Sequence, residues 1–166
     1  MVGAPTTPPR FIADCMLGRL AKWLRVLGYD VAYDRRISDD ALIARTLREG
    51  RVLLSRDRRL VRRRTLREAG AEWVLIASDD PERQIVQMMK DRGLEVRPAL
   101  ILSRCLRCNE PTRPASREQV EGRVPNYVHR TQLEFSRCPA CDRIYWKATH
   151  VSRMMEYIER ALRAGG

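Results

Sequence analysis

The chain has 166 residues, 44% of them hydrophobic, and a formal net charge of +11. That length predicts one domain, or one domain plus a small metal-held module. No apolar run reaches the roughly 18 residues that cross a bilayer, and Met1–Arg10 lacks a signal-peptide core. A soluble, cytoplasmic protein without a membrane-spanning helix is therefore expected. Residues 1–100 hold 20 basic and 14 acidic side chains (+6), and residues 101–166 hold 12 and 7 (+5). Charge spread over both halves points to a polyanionic partner.

Residues 1–9, rich in Pro and Thr, read as disordered. Phe11-Ile12-Ala13 reads as a short buried strand. Leu17, Leu20, Ala21, Leu24 and Leu27 follow at helical spacing, and Gly28 ends that helix. Val31 to Tyr33 is a second strand. Ser38 N-caps a helix running to about Glu49, closed by Gly50. Val52-Leu53-Leu54 is a third strand, followed by one very basic helix from about Arg58 to Glu68. Trp73 to Ala77 is a fourth strand. Pro81 opens a helix reaching about Arg92, and Val96 to Leu102 reads as a fifth strand. Strand–helix alternation with short connections predicts a parallel sheet covered on both faces. Its ligand site belongs at the carboxyl ends of the strands.

Residues 103–148 change in character, holding four of the five cysteines and few apolar runs. Cys105-x-x-Cys108 and Cys138-x-x-Cys141 have the geometry of two knuckles closing one structural zinc site. The 29 residues between the pairs leave room for a hairpin, as in zinc ribbons. In a reducing compartment the pattern reads as zinc rather than disulfides, and zinc would supply most of the folding energy here. Val151, Met154, Met155, Ile158 and Leu162 form the packing stripe of a closing helix. Cys15, the odd cysteine, is expected to pack as a small buried residue.

Three acidic positions fall at one edge of the expected sheet. Asp14 ends the first strand, Asp57 follows the third, and Asp39 and Asp40 open the helix after the second. Hard oxygen ligands suit Mg²⁺ or Mn²⁺, which can activate water on a phosphodiester. Asp39 and Asp40 also suit a helix N-terminus for electrostatic reasons alone. Asp79 and Asp80, before Pro81, read as capping residues. Arg56, Arg58, Arg59, Arg62, Arg63, Arg64 and Arg67 crowd the stretch around Asp57, a one-signed cluster that suits phosphates. Arg19 and Lys22 oppose the leucine stripe of the first helix, and Arg25 flanks it within reach of the acidic edge. Trp23 and Val26 make a second apolar patch, to be covered by the cysteine module or by a twin subunit.

Taken together, these residues resemble the PIN-like ribonucleases of the Mut-7 C-terminal type. The resemblance rests on Phe11-Ile12-Ala13-Asp14, on Leu17-Gly18-Arg19-Leu20-Ala21-Lys22-Trp23-Leu24-Arg25 and on Leu27-Gly28-Tyr29-Asp30. It continues through Gly50-Arg51-Val52-Leu53-Leu54-Ser55-Arg56-Asp57 to both cysteine pairs, Cys138-Pro139-x-Cys141 running on to Tyr145-Trp146. It implies a PIN-like three-layer α/β/α domain with a central parallel sheet over residues 10–102, then a zinc ribbon with a C-terminal helix over 103–166. It implies Mg²⁺- or Mn²⁺-dependent RNA hydrolysis, with Asp14 and Asp57 as metal-binding carboxylates and Asp39 or Asp40 as the central acid. Arg19, Lys22, Arg25, Arg56, Arg58, Arg59 and Arg62 are the expected RNA-binding residues. RNA is the partner, with ribosome or tRNA association and a homodimer left open. Many PIN domains carry another acid two to four residues after the Asp57 position. Here Arg58 and Arg59 follow, and no acid appears before Glu68, so the alternative is a non-catalytic RNA- or ribosome-binding protein on the same fold. Asp142 stands where a glycine often follows the second knuckle.

Overall fold

The computed structural model describes residues 8–164; most of the segment expected to be disordered, residues 1–7, lies outside them. Four short strands, β1 (Phe11–Ala13), β2 (Val31–Tyr33), β3 (Val52–Ser55) and β4 (Trp73–Leu75), form one parallel sheet in the order β2-β1-β3-β4. Phe11 pairs with Val31 on one side and Val52 on the other. Parallel strands need crossovers, and helices supply them. These are α1 (Gly18–Val26), α2 (Asp39–Glu49), the pair α3 (Arg58–Val61) and α4 (Arg64–Glu68), and later α5 (Pro81–Arg92).

The period of two along each strand sorts the core into two layers. Phe11, Ala13, Val31, Val52, Leu54, Val74 and Ile76 face α1 and α5, packing with Leu20, Leu24, Ile85 and Met88. Ile12, Ala32 and Leu53 face the other way, onto Leu42 and Ile43 of α2, Leu60 and Val61 of α3 and Leu66 of α4. The result is the expected three-layer α/β/α sandwich. The last helix, α8 (Thr149–Ala164), packs on α5 and adds Val151, Met154 and Ile158 to the α1 side of this core. Trp23 lines a crevice with Ile85, Arg153 and Met154. α8 therefore lies beside it where the cysteine module was expected.

The expected fifth strand does not form. Pro98 lacks the N–H a ladder needs, Pro98–Leu100 is a 3-10 turn, and Leu102 takes a left-handed φ of 59°. The segment docks on the end of α1 instead: Leu102 N–H donates to Val26 O at 2.7 Å. Gly28, at φ 89°, has no room for a side chain, since a Cβ there would stand 2.5 Å from Leu100 O.

The basic helix expected over 58–68 is two helices. Leu60, Val61 and Leu66 cannot share one helical stripe, so the chain breaks at Arg62–Arg63, where Arg63 is extended (ψ 135°) and all three apolar side chains reach the core.

The C-terminal region holds a three-stranded antiparallel sheet of β5 (Arg113–Ala115), β6 (Phe135–Arg137) and β7 (Ile144–Tyr145). Between the knuckles lie not only strands but two short helices, α6 (Arg117–Val120) and α7 (Asn126–Thr131). Val120, Val124, Val128 and Phe135 bury one another there, a small apolar core beyond what composition suggested.

Candidate active site and metal centre

Because β1 and β3 are adjacent and parallel, they end side by side. Asp14 closes the first and Ser55 the second. Asp14 is 5% exposed and Ser55 fully buried. The Ser55 hydroxyl donates to Asp14 Oδ2 and accepts the backbone N–H of Asp57 at 2.9 Å. Arg56 N–H also donates to Asp14 Oδ2 at 3.3 Å, and Met16 N–H to Oδ1 at 2.8 Å. Asp57 is exposed and caps α3, its Oδ1 accepting from Arg59 N–H (2.7 Å) and Leu60 N–H (3.2 Å). One serine thus links the two aspartates. The sequence reading passed over it, although a lone polar residue closing the run Val52-Leu53-Leu54 was the available signal.

Asp39 and Asp40 begin α2 as expected, exposed, and both are engaged by Arg63. They do not close with Asp14 and Asp57 into a shared ligand set. Among the described residues, the four cysteines are the one group of three or more acidic, histidine or cysteine ligands close enough to hold an ion. Asp80 caps α5, as read. Cys15 is exposed rather than packed inside.

The cations divide sharply. Arg45, Arg51, Arg63, Arg64 and Arg92 have carboxylate partners. Arg56, Arg58, Arg59 and Arg62 beside Asp57 make no ion pair among the described residues, nor do Arg19 and Lys22 on α1. Arg25 is different. Only 4% exposed, it donates from Nε (3.0 Å) and Nη2 (2.7 Å) to Val31 O, and from Nη1 to Leu106 O and Arg107 O at 3.0 Å each. Burial lowers its pKa, against the pull of Cys105, Cys108 and Asp30. The structure gives it the work of a clamp between β2 and the first knuckle, instead of the open phosphate contact that its position on α1 suggested.

The two knuckles share one hydrogen-bond pattern. Cys105 N–H donates to Glu110 O and Asn109 N–H to Cys105 O; Cys138 N–H donates to Arg143 O and Asp142 N–H to Cys138 O. Asn109 (φ 68°) and Asp142 (φ 63°) take the left-handed turn that Asn and Asp tolerate best among non-glycine residues. All four Sγ atoms lie within 4.8 Å of one another, with Cys105–Cys141 and Cys108–Cys138 at 3.4 Å across the knuckles. A tetrahedral zinc with Zn–S near 2.3 Å sets sulfurs about 3.8 Å apart, so the donor set fits zinc. Burial opposes ionisation of Cys105, but the Tyr145 hydroxyl and the N–H groups of Cys108 and Arg107 outweigh it and lower its pKa. Burial and the neighbouring Cys105 push Cys108 up.

Asn109 carries the knuckle to the sheet. It accepts Val31 N–H at 3.0 Å and donates to Asp30 at 2.7 Å. Asp30 is also bound by Arg51 and lies near Arg104. Burial tends to raise the Asp30 pKa, and the bonds from Arg51 and Asn109 bring it below the usual carboxylate value.

Among the described residues, no helix is long and apolar enough to cross a membrane. Comparison with curated proteins and with solved structures returned no match. The family model of the Mut7-C RNAse domain matches residues 9–158, spanning the sheet, both knuckles and most of α8. With its parallel sheet ending in Asp14 and its four-cysteine centre, the chain belongs to the Mut7-C RNAse domain family, and an RNA-directed, nuclease-type function follows from that membership.

Proposed function

We propose that the protein is an endoribonuclease that hydrolyses RNA phosphodiester bonds at the carboxyl edge of its sheet, with Asp14 and Asp57 holding a Mg²⁺ or Mn²⁺ ion. The observation that carries this is the Asp14–Ser55–Asp57 link within a Mut7-C RNAse domain. Magnesium is commonly held by one or two carboxylates, with water and substrate phosphate filling the other positions. Two aspartates at one strand edge, the Asp14 carboxylate and the Asp57 backbone joined through Ser55, supply donors of that kind. When bound, the ion would polarise the phosphate and lower the pKa of the attacking water. Asp14, gripped through both oxygens, is held in one orientation at the strand end. Asp57 is exposed and caps through Oδ1, so Oδ2 is the oxygen a water can reach and hydrogen-bond. Arg56, Arg58, Arg59 and Arg62 offset the repulsion between RNA and these acids and position the strand. Asp39 and Asp40 supply further acid at the start of α2, balanced by Arg63. The cysteine centre, loaded with zinc, is closed to catalysis because four thiolates fill the coordination sphere.

The test is cleavage of single-stranded and structured RNAs with Mg²⁺, Mn²⁺ or no added divalent ion, beside Asp57→Asn and Asp14→Asn/Asp57→Asn. Asparagine also caps helices, so Asp57→Asn keeps α3. Metal-dependent cutting that drops at least 100-fold in both variants is expected. A second reading, a non-catalytic RNA-binding protein, draws on one observation: Asp39 and Asp40 are both paired with Arg63. RNA binding without cutting, equal in wild type and variants, would select it.

A further inference from the structure

Beside Asp14 a cleft of about 890 Å³ opens between α1, the end of β2, the start of α5 and the first knuckle. Arg19 and Lys22 line one side, Arg35 and Arg107 also border it, and Asp79 is its one acid. All four cations are exposed, and none makes an ion pair among the described residues. With Arg25, which also lines the cleft, five cations against one acid leave a net +4 around a single concavity. Like charges held together repel, and a polyanion relieves that repulsion. The volume falls near the top of the range for pockets that enclose small ligands, about 300–1,000 Å³. A strand end or a few nucleotides fit such a space.

One wall belongs to the metal centre. Leu106 and Arg107, both lining the cleft, lie inside Cys105-x-x-Cys108, and their carbonyls are the ones Arg25 clamps. The wall is thus fixed from below by Arg25 and from within by the thiols.

We infer that this cleft binds single-stranded RNA through Arg19, Lys22, Arg35 and Arg107, and that zinc in the four-cysteine centre holds the Arg107 wall in place. The inference rests on the RNA-directed reading above and adds where the strand lies. Met16 borders the cleft and donates its N–H to Asp14, while Arg56 donates its own from the other side. Asp14 therefore stands between two groups of unpaired cations, the cleft and the arginines around Asp57. A strand running from one to the other crosses the acidic edge.

Binding, not cleavage, tests it. A labelled RNA oligonucleotide, as single strand and as duplex, is titrated by fluorescence anisotropy against the full chain carrying Asp57→Asn, without added divalent ion, over a range of salt. Adding Arg35→Ala/Arg107→Ala should weaken single-strand binding about tenfold. It should also flatten the log–log salt slope by roughly 1.4, at about 0.7 per lost phosphate contact. Arg45→Ala/Arg92→Ala removes the same charge elsewhere; Arg92 sits at the far end of α5, about 17 Å along a twelve-residue helix. A cleft variant no different from this control overturns the inference. So does duplex binding that shows the same dependence on Arg35 and Arg107. Zinc removal under reducing conditions should lower affinity to that of Arg107→Ala alone, and unchanged affinity would overturn the zinc-held wall. If the zinc-free protein unfolds, Arg107→Ala in the loaded protein decides in its place. Cleft-dependent binding by a protein that cuts no RNA would sink the nuclease reading and leave the groove. Cutting with an unaltered salt slope would do the reverse.

Discussion

The sheet domain and the cysteine region solve the same problem by different means. Around β1–β4 two continuous apolar layers close on each other, with Phe11, Leu20, Leu24, Leu53, Leu54 and Met88 at or near zero exposure. Between Cys105 and Cys141 the buried apolar set shrinks to Val120, Val124, Val128 and Phe135, and four thiols stand where a larger core would be. Stability in the first region is spread over many side chains; in the second it hangs on one centre. A single substitution should therefore have very different reach in the two.

The largest effect is expected from Cys138→Ser. The thiol is fully buried and shares the centre with three others. Structural zinc contributes about 10–16 kcal/mol of apparent free energy in zinc-finger peptides. Zinc content should fall close to zero by elemental analysis, and amide protection should collapse through residues 105–145 while β1–β4 stay protected. Retained zinc, or loss spreading evenly over both regions, would break the contrast. Next comes Leu54→Ala, which leaves a cavity between β3 and α1 at a cost of about 2–5 kcal/mol. Urea unfolding should show the loss in the sheet domain with zinc content unchanged.

Arg25→Lys probes the seam. Lysine keeps the charge but cannot reach Val31 O, Leu106 O and Arg107 O together, since a planar fork is what spans them. A cost of about 1–3 kcal/mol is expected, with faster zinc release to a chelator. A chelation rate equal to wild type would show that the two regions are merely adjacent.

The same contrast explains what was legible in the sequence. Where apolar residues run on without a break, as in β1, β2 and β3, or recur at helical spacing, as in α1, α2 and α5, one residue set satisfies one geometry and elements fall where pattern places them. Cysteine spacing was as informative, because ligation geometry restricts it. The failures share a cause. Val96–Leu102 has strand-like composition, but Pro98 and the left-handed Leu102 turn it into a strap on Gly28. The arginine run after Asp57 looked like one helix until burial of Leu66 broke it at Arg63. Arg25 reads as a surface cation by its place on α1, and its burial comes from β2 on one side and the distant knuckle on the other. The cleft was invisible because Arg35 and Arg107 meet solely through the fold. The acids at the sheet edge were legible as positions; Arg63 pairing with Asp39 and Asp40 was not.

The smallest effect expected is in acid, and it separates the seam from the sheet. Glu49 is held by Arg51 and Arg45, which lower its pKa to about 2. Asp30 is likewise depressed, by Arg51 and Asn109 against the cost of burial. Both groups favour the folded, ionised state, so their contribution is intact above the unfolded carboxylate values. It is lost as pH falls through the folded ones. Urea midpoints should stay flat above pH 5 and decline from about 4.5 toward 2. Glu49→Gln should flatten that decline without touching the cysteine region, because both its arginines belong to the sheet domain. Asp30→Asn should flatten it too, but it also breaks the bond that Asn109 makes from the first knuckle. Zinc release should therefore quicken in Asp30→Asn and not in Glu49→Gln. Equal release from the two variants would mean that the knuckle is anchored by Arg25 alone.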